Sequence, residues 1–79
     1  MELRKLRYFV AVAESGSISR ASSRLGIAQP TLTRQIQALE EDLKCLLFYR
    51  HGRGIALTKA GERLYSTLDP MLIEFDQVR

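Results

Sequence analysis

An all-α fold with one small β-hairpin is what this 79-residue sequence predicts, on three observations. Apolar residues recur at three- and four-residue steps in four separate stretches, the pattern of helices with one buried face. Between the third and fourth stretches the period breaks into two short apolar runs joined by a glycine-containing turn, the pattern of a hairpin. The hydrophobic fraction of 46% and charged fraction of 27% are those of an ordinary globular chain. A chain of this length makes one domain with a small core, with little room for an enzyme's walled pocket.

The first helix is expected from residue 3 to about residue 14. Leu3, Leu6, Phe9, Val10 and Ala13 share one face, and Arg4, Lys5 and Arg7 fall mostly outside it. Gly16 can take the left-handed conformation that ends a helix, and Ser17 can cap the next one through its hydroxyl. The second helix, about residues 18–25, is short, with Ile18, Ala21, Ser22 and Leu25 facing inward, and Gly26 ends it. Ile27 resumes the apolar pattern at once, so the connection to the third helix is only a few residues long. A short helix, a tight glycine turn and a longer helix are the plan of a helix-turn-helix.

The third helix starts near Gln29-Pro30, because proline is tolerated in a first turn where its missing N–H has no partner to lose. Leu32, Ile36, Leu39 and Leu43 make its inner face. At about 100° per residue, Pro30, Thr31, Arg34, Gln37, Ala38 and Glu41 make the outer face, with Gln29 and Thr33 on the flank. The first half of that face carries no carboxylate. The second half is acidic, with Glu40, Glu41 and Asp42 close by, so only the first half suits a phosphate-bearing partner.

Leu46 to Tyr49 and Ile55 to Leu57 read as two short strands around a turn formed by Arg50, His51, Gly52, Arg53 and Gly54, a hairpin with a basic tip. Thr58 then caps a fourth helix that starts at Lys59. Leu64, Leu68, Met71, Leu72, Phe75 and Val78 run as its apolar stripe to the end of the chain. The stripe has too little sequence after it to be covered by its own domain, so a homodimer through this helix is expected. The complete plan is a winged helix-turn-helix followed by a long linker helix, with the winged domain in residues 1–58 and the helix in residues 59–79.

Charge follows the same division. The chain has net charge +3, but residues 1–37 carry +4, residues 38–49 carry −2, residues 50–63 carry +3 and residues 64–79 carry −2. Two basic blocks separated by an acidic one can meet in a cationic face suited to phosphates. Other classes are poorly supported. One cysteine makes no internal disulfide, and Cys45 reads most simply as a buried small hydrophobe. The longest apolar runs, residues 8–13 and 45–49, are far short of a membrane span, and no apolar leader opens the chain, so a cytoplasmic location without membrane contact is expected. His51 stands alone and cannot build a metal site. No Ser–His–Asp spacing and no phosphate-cradling glycine loop are present, so no enzyme is expected.

The order of elements and several local strings resemble the N-terminal domain of LysR-type transcriptional regulators. The matching strings are Leu6-Arg7-Tyr8-Phe9, Gly16-Ser17-Ile18-Ser19-Arg20-Ala21, Leu25-Gly26-Ile27-Ala28-Gln29-Pro30, Arg34-Gln35-Ile36, Leu39-Glu40, Leu47-Phe48, Arg50 and Leu57-Thr58-Lys59-Ala60-Gly61. Together they cover about residues 3–63, and the remainder fits the family's linker helix. The resemblance implies sequence-specific binding of double-stranded promoter DNA by paired domains, as dimers or dimers of dimers. It also implies a C-terminal effector-sensing domain outside this chain, which would hold the small-molecule effector, and no cofactor within residues 1–79.

On that resemblance, residues 29–37 lie in the major groove, where all four base pairs are distinguishable. Arg34 then reads guanine, Gln29 addresses adenine, and Pro30 and Thr31 pack on a thymine methyl. Thr33 and Gln37 bond a phosphate or base edge. Arg50 and Arg53 at the wing follow the backbone or enter the minor groove. The rival reading is a winged-helix protein-interaction module, which usually presents an acidic or apolar outer face.

Three positions depart from the family pattern. Lys44 stands where glycine is common, and a left-handed residue there would cost lysine roughly 1 kcal/mol, so a differently shaped helix end is expected. Ala28 offers no side-chain cap, leaving N–H groups of the third helix to face a phosphate. Pro70 deletes the backbone bond to Ser66 and should kink or split the fourth helix, with Asp69 and Pro70 serving as the cap and first residue of a new one.

Overall fold

The computed structural model describes residues 2–51 and 54–78. Four helices and one hairpin follow in the order α1 (Leu3–Ser15), α2 (Ile18–Leu25), α3 (Gln29–Leu43), β1 (Phe48–His51), β2 (Gly54–Leu57) and α4 (Lys59–Val78). α1 is the central helix and packs against α2, α3 and α4. Its Phe9 and Val12 are fully buried, together with Ala21 of α2 and Leu32, Ile36 and Leu39 of α3. Leu47 and Phe48 close the core from the wing side, and the rings of Phe9 and Phe48 lie 5.3 Å apart in a tilted contact.

The helix ends follow local chemistry. Ser17 Oγ accepts from the Arg20 N–H at 3.2 Å and starts α2. Gly26 is left-handed, and the Ile27 N–H donates to the Ser22 carbonyl at 3.1 Å, closing α2 tightly enough for α3 to begin three residues later. α3 ends in the same way. Lys44 adopts φ 58°, and the Cys45 N–H donates to the Glu40 carbonyl at 3.2 Å. The expectation of a differently shaped end is therefore corrected. Lysine occupies the left-handed position itself, and the backbone bonds that close the helix hold it there.

Two further corrections concern the wing. β1 starts at Phe48 rather than Leu46, because the backbone around Leu46 and Leu47 bonds outside the hairpin. The N–H groups of Leu47 and Phe48 donate to Glu40 Oε2 at 2.8 and 3.3 Å. The Leu46 carbonyl accepts from Thr58 Oγ1, and the Leu47 carbonyl from the Thr58 N–H. β1 also runs further than the sequence suggested. Arg50 pairs with Ile55 and His51 with Gly54 in the antiparallel ladder, so both belong to the strand and not to the turn. Gly52 and Arg53 lie outside the described residues.

α4 begins where Thr58 Oγ1 accepts the Gly61 N–H at 3.0 Å, the cap expected from the sequence. Gly61 is buried against the Leu47 carbonyl, and a Cβ at this position would collide with that oxygen. The helix is continuous through Pro70, so Asp69 and Pro70 do not start a new one. The apolar stripe also divides differently from the expectation. Leu68 and Leu72 are buried in the domain's own core and Leu64 packs against it, while Met71, Phe75 and Val78 stay exposed, as does Ile73 outside the stripe. Cys45 is exposed, which corrects its reading as a buried hydrophobe. It follows the left-handed Lys44, where the chain leaves the core side of α3.

Candidate nucleic-acid interface

The first half of α3 is presented to solvent by what lies beneath it. Leu32 and Ile36 are fully buried, so the opposite side of the same two turns must face outward. Gln29, Pro30, Arg34 and Gln37 are exposed, and Thr31 and Thr33 are half-buried at the margin. Gln29, Pro30, Thr33 and Arg34 line one shallow open groove. Ala28 has extended geometry and makes no side-chain cap, as expected, so among the described residues the first-turn N–H groups of α3 have no side-chain cap. Unpaired N–H groups and the helix dipole leave this end partly positive.

Ion pairing sorts the basic residues into two groups. Arg24 pairs with Glu14 at 2.9 Å, Arg7 with Asp76 at 2.7 Å, Lys5 with Asp42 at 3.5 Å and Lys44 with Glu41 at 3.3 Å. Three cations of the first basic block are thus offset internally. Among the described residues, no carboxylate pairs with Arg20, Arg34, Arg50, Lys59 or Arg63, all of which are exposed. These remain available for an external anion. Arg50 shares the hairpin face of Phe48 and Ile55, so it sits at the core-side rim of the wing. Arg53, the other wing residue singled out in the sequence, lies outside the described residues.

The supporting residues were less visible in the sequence than the surface ones. Glu40 belongs by sequence to the acidic second half of α3, yet it is 9% exposed and holds the entry to the wing through two N–H bonds. The signal was its spacing: Glu40 is one turn from Ile36 and belongs to the inner stripe. A second polar set joins three helices. Tyr65 of α4 donates to Glu14 Oε2 at 3.3 Å, and Glu14 of α1 holds Arg24 of α2. Loss of water around the Tyr65 hydroxyl, with the negative charges of Glu14 and Asp69, raises its pKa above the ordinary phenol value. At the far end, the hydrogen bond to Asp76 raises the Arg7 pKa above the ordinary guanidinium value, with loss of water opposing it and the charge of Asp76 adding to it.

The model of bacterial regulatory helix-turn-helix proteins of the lysR family matches residues 3–62. This chain belongs to the LysR family. Among its LysR-type relatives, the transcriptional regulator ClcR of Pseudomonas putida is 62% identical over 61 residues, which are 77% of this chain and 21% of ClcR. The chain therefore spans about a fifth of the length of that relative. Two solved complexes have the same fold over 99% of this chain. The BenM DBD with catB site 1 DNA superposes with a TM-score of 0.94 at 47% identity and is covered to 87%. The CbnR DBD–DNA complex superposes with a TM-score of 0.91 at 45% identity and is covered to 90%. Winged helix-turn-helix architecture, expected from element order, is the architecture of these LysR-family neighbours.

Among the described residues no helix is long and apolar enough to cross a membrane.

Proposed function

We propose that this chain is the DNA-binding module of a LysR-type transcriptional regulator and binds double-stranded promoter DNA sequence-specifically. The observation that carries this reading is the exposed, carboxylate-free first half of α3, where Arg34 has no ion partner among the described residues and Ala28 gives the helix start no side-chain cap. Such a surface suits the major groove: Arg34 offers a planar fork to guanine, and Gln29 an amide to adenine. Pro30 and Thr31 offer apolar contact to a thymine methyl, while Thr33 and Gln37 suit a phosphate or base edge. Arg50, and Arg53 beyond it, serve the backbone or the minor groove. The DNA-bound relatives support the role by likeness.

In this reading residues 1–58 form the winged domain and residues 59–79 the linker helix. Two copies associate through the outer part of α4, where Met71, Phe75 and Val78 are exposed beside Leu3 and Leu6 in an apolar groove. The full-length regulator adds an effector-sensing domain after the linker helix and works in the bacterial cytoplasm, without catalysis and with no cofactor in this module.

The test is selection from a random duplex library, followed by titration of the selected site over a salt series. An inverted repeat of two half-sites, with affinity falling steeply as salt rises, supports the reading. Equal retention of all duplexes, or none, overturns it in favour of a protein-interaction module. Light scattering tests the assembly: a strictly monomeric chain at high micromolar concentration, still monomeric on the selected palindrome, sinks the dimer.

A further inference from the structure

Pro70 divides α4 into two unequal parts. It has no N–H to bond the Ser66 carbonyl, and its ring crowds that turn, so the helix is most easily bent there. Before Pro70 the helix is embedded: Gly61 and Leu68 are buried, Leu64 and Tyr65 pack on the core, and Tyr65 bonds Glu14. After Pro70 only Leu72 is buried, and Met71, Ile73, Phe75 and Val78 are exposed. This outer part is tied back to α1 by a second device. Arg7 Nη1 and Nη2 donate to Asp76 Oδ2 and Oδ1 at 3.2 and 2.7 Å, a bidentate fork, and the guanidinium carbon lies 5.8 Å from the centre of the Phe75 ring.

We propose that Arg7 and Asp76 latch the outer part of α4 onto α1 across a hinge at Pro70, and so set the half-site separation that a dimer of this chain selects. The half-site role rests on the DNA-binding and dimer reading above; the latch itself does not. Both side chains are partly open to water, at 33% and 45% exposure, so the latch is an adjustable tie and not a core contact. The leverage is large. From Pro70 to Val78 the helix runs about 12 Å, and a bend of about 20° moves its end by about 4 Å. That displacement is close to the spacing of one base pair, about 3.4 Å. The end that moves carries the apolar side chains available to a second copy, so the bend is passed to the partner's recognition helix. Arg7 and Asp76 are thus positioning residues, with no contact to bases required.

Two measurements test this on the same three variants: Arg7→Glu, Asp76→Arg and the charge-swapped double variant. The first is the distance between spin labels at exposed positions Ser23 and Gln77, with Cys45→Ser as background and labelled chains diluted in unlabelled ones. A single narrow distribution should broaden in either single variant and narrow again in the double variant. An unchanged distribution in the single variants overturns the latch. The second is competition among inverted half-sites with different spacers. The parent should favour one spacing by about tenfold, each single variant should flatten that preference to about threefold or less, and the swap should restore it. Affinity for an isolated half-site should stay within about twofold throughout. A spacing preference that survives in the single variants, or a loss that appears equally on an isolated half-site, overturns the positioning role. If the parent binds no duplex, the DNA-binding reading fails and the spacing role with it, while the distance measurement still decides whether the latch exists.

Discussion

The two ends of α3 are built on opposite rules. At its start, Gln29, Pro30 and Arg34 are exposed, no side chain caps the helix, and Arg34 has no carboxylate partner among the described residues. At its end, Glu40 is buried and bonded to two wing N–H groups, and Lys44 accepts a left-handed conformation to turn the chain toward the wing. One end leaves its hydrogen-bonding groups open to solvent, and the other commits its own inside. A surface that reads another molecule must hold its side chains in place without using their polar groups to do so. Here the inner stripe of Leu32, Ile36 and Leu39, with the tie at Glu40, supplies that rigidity.

Breaking the committed end should therefore cost stability, and breaking the open end should cost recognition. The largest effect is expected at the shared base of both: Leu32→Asp places a charge among fully buried side chains and should abolish the cooperative thermal transition. Retention of native circular dichroism and melting temperature would refute the assigned inner face. Gly61→Ala should follow, destabilising by about 2–4 kcal/mol in chemical denaturation, because its methyl meets the Leu47 carbonyl and forces α4 off the wing. Glu40→Ala leaves the Leu47 and Phe48 N–H groups without their acceptor and should cost about 2–3 kcal/mol. Faster amide exchange should appear first at those two residues.

At the open end the effect changes kind. Arg34→Ala should leave the melting temperature within a degree or two while lowering specific affinity by about 1–3 kcal/mol and relaxing choice at one base pair. An unchanged site preference would remove Arg34 from the reading set. The smallest effect sharpens the comparison: Lys44→Gly should stabilise by about 0.5–1 kcal/mol, since glycine takes the left-handed conformation without the Cβ clash. Equal or lower stability would mean that the Lys44–Glu41 contact, or the greater freedom of glycine in the unfolded chain, outweighs the strain.

By itself the sequence determined the parts whose cause is local. Three- and four-residue spacing placed the four helices, Ser17 and Thr58 announced their caps, and Gly16 and Gly26 announced left-handed stops, because each depends on a few neighbouring residues. The outward face of α3 was legible for the same reason: burying Leu32 and Ile36 leaves only one direction for Gln29 and Arg34. Tertiary structure decided what depends on groups distant in sequence. Glu40 looks like one more surface acid until the wing N–H groups come within reach, and β1 starts only at Phe48 because the Leu47 N–H is already bonded to Glu40. Lys44 looked unsuited to a left-handed turn until the backbone bonds closing α3 held it there. The stripe on α4 looked uniform until α1 covered Leu68 and Leu72 and left Met71, Phe75 and Val78 in water. Periodicity reports which side chains share a face, but the reach of the neighbouring helix determines how much of that face is buried.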